Sequence, residues 1–288
     1  MRSAATVVAW LAECGVTAMR LGMGSQLRCV LLMVTGLAAS PIAALAAAWT
    51  LDAGTGQAFL IGTASSSDHI FNASRNIQST PRYDKFELTG LIEYGATNWL
   101  TLMLLPQLQH IDIASPTDAQ RTGVGYTEFG GRARLYEANS WVFSVQTTVR
   151  VPGTTASANP AAIGYTDTQV DVRGLLGRTF TVGAWPAFFD MQVAQRFRGG
   201  GAPDEFRADF TLGIRPSPNW LFLSQSFNVI SEGAGTWGFP SYDYFKFQLS
   251  VVYQVTPAVG LQLGGFTAYT GRNALQENGV VLGAWFKF

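Results

Sequence analysis

The sequence is poor in two things that most soluble domains carry. Only 13% of its 288 residues are charged, about half the usual ~25%. Its cysteines number 2: Cys14 and Cys29, both near the N-terminus. The low charge excludes a disordered tail and a coiled coil. The balance of 19 basic and 19 acidic residues leaves no basic excess to attract nucleic acid. With no cysteine after residue 29, the rest of the chain has no disulfide framework and no thiolate metal site. Histidine is also scarce, at 2. No nucleotide fingerprint occurs: Gly123-Val-Gly125 lacks a third glycine and a following helix. No catalytic residue, metal site or cofactor is assigned.

What is present begins with a leader. Residues 25–48 read SQLRCVLLMVTGLAASPIAALAAA. Arg28 gives a positive n-region, Cys29 to Leu37 an apolar h-region, and Pro41 a break. Ala44-Leu45-Ala46 then fits the small-x-small cleavage rule. Residues 1–46 are therefore read as a signal peptide, with Met23 as an alternative start that would leave out 1–22. Cleavage after Ala46 or Ala48 leaves a chain beginning near Trp49. An uncleaved anchor helix is the rival reading, since about twenty residues can span a bilayer. Neither cysteine follows a small residue, as a lipoprotein signal requires: Glu13 and Arg28 precede them.

Residues 47–288 show period two. In Trp141–Val151 the odd positions are Trp, Phe, Val, Thr, Val and Val, and the even ones Val, Ser, Gln, Thr and Arg. Such alternation makes a strand with one apolar and one polar face. Lys85–Tyr94, Phe206–Arg215 and Phe245–Tyr253 repeat it. Continuing in this way predicts twelve strands, near 56–66, 82–95, 99–113, 124–137, 140–152, 166–178, 184–198, 204–215, 220–231, 242–255, 259–270 and 279–288. Most have the ~9–11 residues a tilted strand needs to cross a bilayer. Turn-rich short links alternate with longer polar ones at 67–81, 114–123, 153–165, 199–203, 232–241 and 271–278, as in outer-membrane barrels. The predicted fold is all-β, a transmembrane antiparallel up-and-down β-barrel of about 12 strands. It spans the outer membrane of a Gram-negative bacterium, with its lipids as one partner. A secreted soluble sandwich is the competing fold.

Aromatic residues cluster at the short turns. Trp99, Trp141, Trp185 and Trp220 follow a turn, and Tyr94, Tyr136 and Tyr253 precede one. Amphipathic rings favour the membrane–water interface, so these are assigned to a periplasmic girdle. The chain ends GVVLGAWFKF, with Val280, Leu282, Ala284, Phe286 and Phe288 on one face. This ending resembles the terminal strand of bacterial outer-membrane proteins. The resemblance implies that Phe286 and Phe288 form the signal read by the barrel-assembly machinery.

The inward positions of strands four to eight are charge-rich. Arg132, Arg150, Asp171, Arg173, Asp190, Arg207 and Asp209 are the candidates for a constriction favouring anionic or polar solutes. The alternative is a structural network in which the arginines are compensated by the carboxylates. Strands nine to twelve are expected to turn Ser224, Ser226, Asn228, Gln248, Ser250, Gln262 and Gly264 inward, giving a small neutral wall. No large plug fits between Trp49 and the first strand.

The stretch Glu93-Tyr-Gly-Ala-Thr-Asn-Trp-Leu-Thr-Leu102, with Pro106 and then Arg132, Arg134 and Leu135, resembles a strand–turn–strand pattern of a transporter family. That family is the outer-membrane transporters named for the meta-pathway of phenol degradation. The resemblance implies a barrel and uptake of small organic compounds, and it carries over no binding residues. The expected function is an outer-membrane channel or transporter for small solutes, and no enzyme activity is assigned. A barrel with a plugged lumen that serves structure or surface contact is the alternative, and an outer-membrane hydrolase using His110 is the third reading.

Overall fold

The computed structural model describes residues 48–155, 159–164, 167–236 and 238–288. The leader assigned to 1–46 lies outside the described residues, as do four positions of the 153–165 link.

The strands are β1 (Gly56–Phe71), β2 (Ile77–Thr97), β3 (Leu100–Ile113), β4 (Ala119–Ala138), β5 (Trp141–Pro152), β6 (Gln169–Val182), β7 (Trp185–Arg198), β8 (Glu205–Ser217), β9 (Trp220–Ser231), β10 (Asp243–Thr256), β11 (Val259–Arg272), β12 (Ala274–Leu275) and β13 (Asn278–Lys287). Each pairs antiparallel with its sequence neighbour, save the two-residue β12, which pairs with β1. β1 pairs with both β2 and β13, so the sheet closes into a barrel of twelve strands with one short extra. Closure runs from Gln57 opposite Lys287 to Ser66 opposite Asn278. At its end Gly56 and Phe288 exchange two backbone hydrogen bonds, at 2.7 and 2.9 Å. A Cβ on residue 56 would sit 2.3 Å from the Phe288 ring, so a larger residue there would push that ring aside.

Closure satisfies the backbone, and period two sorts the side chains. Leu60, Ile92, Leu104, Phe129, Phe210, Leu249 and Leu282 point out and are exposed. A continuous apolar wall of this kind is untenable in water but natural against hydrocarbon, where no open sheet edge is tolerated. Five links hold two residues each, 98–99, 139–140, 183–184, 218–219 and 257–258, all at one end. Asn139 and Ser140 both have positive φ, 51° and 69°, as a two-residue hairpin turn with matching twist demands.

The structure corrects the sequence reading in two places. The links at 67–81 and 114–123 are largely strand: β1 and β2 are joined by 72–76 alone, and β3 and β4 by 114–118. β9 has the opposite facing from that expected. Leu221, Leu223, Gln225 and Val229 are buried toward the lumen, while Phe222 and Ile230 are exposed outside. Ser224, Ser226 and Asn228 share that outer face. Pairing fixes the facing, because Gln225 lies opposite Gln248 of β10 and Thr211 of β8 and bonds to both.

Candidate functional site: the barrel lumen

The lumen is layered. At the short-turn end it is filled by apolar side chains. Phe59 and Trp285 meet edge to face at 5.4 Å, and Leu221 and Val252, opposite one another, are both buried. Across from them, Val142 and Leu175 close on Ala48 and Trp49. These last two belong to residues 48–55, which precede β1 and run along the inside of the wall. The segment is held by hydrogen bonds from several strands. The Ala48 amide donates to Asp190 Oδ2 at 2.6 Å, and Ser144 Oγ donates to the Ala48 carbonyl. Arg132 Nη1 donates to the Trp49 carbonyl at 3.0 Å, and the Leu51 amide to Thr101 Oγ1 at 2.9 Å. Trp49 packs edge-on against Phe188, 6.1 Å between centroids. A Cβ on residue 177 would lie 2.7 Å from the Trp49 ring, so Gly177 makes room for it. Nothing in the sequence of this segment marks it as luminal; the small-residue run AAAW is equally the end of a leader.

Above this lies a belt of ion pairs. Arg132 bonds to Glu93 Oε1 at 2.9 Å and Gln146 Oε1 at 3.1 Å, and Gln57 covers the other Glu93 oxygen at 2.5 Å. Arg150 pairs with Glu128 at 2.6 Å and lies 4.4 Å over the Tyr126 ring. Arg173 bridges Asp209 at 2.6 Å and Asp171 at 3.3 Å. Arg196 also takes Asp171, at 3.1 Å, while Arg198 and Arg207 converge on Glu205 at 2.8 and 3.5 Å. All seven constriction candidates thus lie on the inner wall. Arg132, Arg150, Arg173 and Arg207 each face a carboxylate, so the belt is internally neutralised. Asp190 differs: it accepts from the Gln192 amide at 2.5 Å and from Ala48. Glu93, Glu128 and Glu205, the carboxylates paired with these arginines, were not singled out from the sequence as site residues. Cross-strand alternation marks them inward, but registers alone say which arginine each meets.

At the far end the lumen opens to a cavity of about 610 Å³ lined by Tyr83, Lys85, Tyr242, Tyr244, Lys246 and Glu277 among others. Glu277, in the link between β12 and β13, bonds to Lys246, to Lys85 at 3.2 Å and to Ser65 Oγ at 2.5 Å. Burial opposes its ionisation, yet Lys246 and Lys85 outweigh that and hold its carboxyl down to about 2.

The predicted girdle residues lie at the short-turn end. Tyr94, Trp99, Tyr136, Trp185, Trp220 and Tyr253 are exposed outside. Trp141 is half-covered, with the Arg178 guanidinium 4.8 Å over its ring. Trp220 and Tyr253 lie 4.7 Å apart on adjacent strands. Phe286 and Phe288 are exposed on the last strand. His110 bonds to Thr122 Oγ1 at 2.6 Å and His69 to Asp68 at 2.5 Å.

A closed cylinder with an apolar exterior, a polar belt inside and short turns at one end has close solved parallels. An outer membrane channel from Pseudomonas putida F1 aligns with a TM-score of 0.68 at 15% identity, over 85% of this chain and 99% of that one. The chain has the fold of an outer-membrane barrel. The NanC porin aligns at 0.49 with 12% identity, over 80% of this chain and 100% of its own. The translocator domain of the autotransporter NalP from Neisseria meningitidis aligns at 0.47 with 10% identity, over 92% and 95%. No family model and no curated protein matches the sequence.

Proposed function

We propose that this protein is a narrow channel of a Gram-negative outer membrane that passes small solutes. The observation that carries the reading is the polar belt, a stack of inward charges in a barrel whose exterior is apolar. A barrel serving only as an anchor has no need of so many buried ions, each costly to desolvate. The outer cavity, with its tyrosines and paired lysines, is a natural first stop for an incoming solute. The strand–turn–strand resemblance at 93–102 supports small organic compounds as the cargo. The arginine-rich belt and its matching carboxylates support polar over purely hydrocarbon molecules. Because the belt is neutralised in place, selectivity between anions and cations is expected to be weak.

The segment at 48–55 supports a second reading, a lumen plugged for a structural or surface role. Planar-bilayer recording separates the two. Heat-modifiable, folded protein should give small, well-resolved current steps. Absence of current above background from such protein would return the molecule to the plugged reading.

A further inference from the structure

We infer that the outer cavity is a binding station for one small organic carboxylate with an apolar body. Its volume, about 610 Å³, falls in the ~300–1,000 Å³ range of small-molecule sites. Tyr83, Tyr244, Ile111 and Leu275 give it aromatic and apolar walls, and Lys85 and Lys246 reach it from β2 and β10. Those two lysines share a single carboxylate. Glu277 takes Lys246 on one oxygen and Lys85, at 3.2 Å, on the other. Neither lysine makes a second ion pair among the described residues. An ammonium has three N–H donors, so one bond from each to Glu277 leaves donors for an acceptor in the cavity. Exposure sorts the three groups the same way: the Glu277 side chain is 8% exposed and each lysine 23%. The carboxylate is the covered member, and the ammoniums face the path. Lys246 Nζ also lies 5.3 Å from the Tyr244 ring and 5.3 Å from the Phe266 ring. Cation and aromatic faces therefore stand side by side, as a carboxylate on an apolar body requires.

The pattern repeats along the path. At the rim, Asp243 is 3% exposed and is shared by Arg75 and Arg272, at 47% and 35%. In the belt below, Arg207 lies across Val229 from Tyr244 in the strand register. Its Nε is buried without a hydrogen-bond partner. Glu205, 3.5 Å from Arg207, is already taken by Arg198 at 2.8 Å and by the Tyr242 hydroxyl at 2.5 Å. An entering anion thus meets cations with donors to spare at three successive levels. Glu87, the next inward residue of β2, accepts from Gln109 at 2.8 Å and offsets one of the lysine charges. Capture therefore depends on close hydrogen bonds and an apolar fit rather than on a long-range field.

As a stop on a transport path the station rests on the channel reading; as a binding site it does not. Binding and current are therefore measured separately. Full-length protein in detergent, in its heat-modifiable form, is titrated with benzoate, benzyl alcohol, acetate and benzylamine. Binding is followed by ligand-observed NMR, with detergent alone as the blank. Benzoate should bind saturably and about tenfold more tightly than benzyl alcohol, which lacks the charge, or acetate, which lacks the ring. Benzylamine should not displace it. Lys246→Gln and Lys85→Gln should each weaken benzoate about tenfold. Glu277→Gln should tighten it, because both ammoniums lose their rival acceptor; a clasp that only ties strands together gives no such gain. Benzyl alcohol or benzylamine binding as well as benzoate, or benzoate binding unchanged in both lysine variants, overturns the station. The wild-type comparison decides the matter even where a variant does not fold. Benzoate held by folded protein that carries no current keeps the station and overturns the channel reading; current without saturable benzoate binding does the reverse.

Discussion

At the residue scale, the lumen is governed by pairing. Arg132 and Glu93 are 2% and 0% exposed, and removing one leaves the other charged without a partner. Arg132→Ala should therefore destabilise the barrel by about 3–5 kcal/mol, read as a lower urea midpoint for loss of the heat-modifiable form. Arg132→Ala with Glu93→Leu should recover much of this, because neither charge is then stranded. Glu277 gives a pH dependence. Its carboxyl is held below the ordinary 4.5, at about 2, so the folded state binds its proton less tightly than the unfolded one. The stabilisation it brings is complete above 4.5 and is lost as pH falls toward 2. Acid unfolding of wild type should be steeper over that window than that of Glu277→Gln. The inward charges were legible in the sequence, since alternation alone puts Arg150 or Asp209 on the polar face. Their partners were not: Arg173 meets Asp209 two strands away, a contact set by register and shear rather than by spacing.

At the element scale, facing was legible where the two faces of a strand differ sharply in polarity, as in β2, β5 and β8. That of β9 was not. It carries Leu221, Leu223 and Val229 on one side and Phe222 and Ile230 on the other, so apolar residues occur in both series. The serines and Asn228 tipped the sequence reading the wrong way. Polarity is tolerated outside here because Asn228 Nδ2 donates to the Ala208 carbonyl at 2.6 Å and Ser226 Oγ to Asn228 at 3.2 Å. The inward leucines are welcome because the lumen is apolar at that level. The facing has a direct test. Ser224→Arg should cost up to about 2–4 kcal/mol, as for a cation placed toward mid-bilayer, whereas an inward residue 224 would accept the charge readily. The segment at 48–55 is the other element hidden from the sequence, since eight residues without alternation give no sign of which wall they follow. Trp49→Ala removes the ring seated on Gly177 and Phe188 and should raise single-channel conductance over wild type; unchanged current steps would show that the path runs elsewhere.

At the scale of the whole molecule, composition and period two were enough for the class, the strand number and the closure. The length of the outer hairpins was not, because polar strand beyond the bilayer looks like loop when read for alternation. The closing seam gives a prediction. Phe288 caps the ladder between the first and last strands, so deleting residues 286–288 should sharply lower the yield of heat-modifiable barrel in cells. It should leave the amount of exported chain unchanged at early times after synthesis, as measured by pulse labelling.

The contact between Gly56 and Phe288 also orders events in time. The two residues that complete the ring are the opening and the final ones of the barrel sequence, and every other ladder joins neighbours. Zipping can therefore proceed hairpin by hairpin, but the cylinder cannot shut before β13 has been made. Until then both edge strands are unpaired and sticky, and the apolar outer flank of the sheet has no ring to belong to.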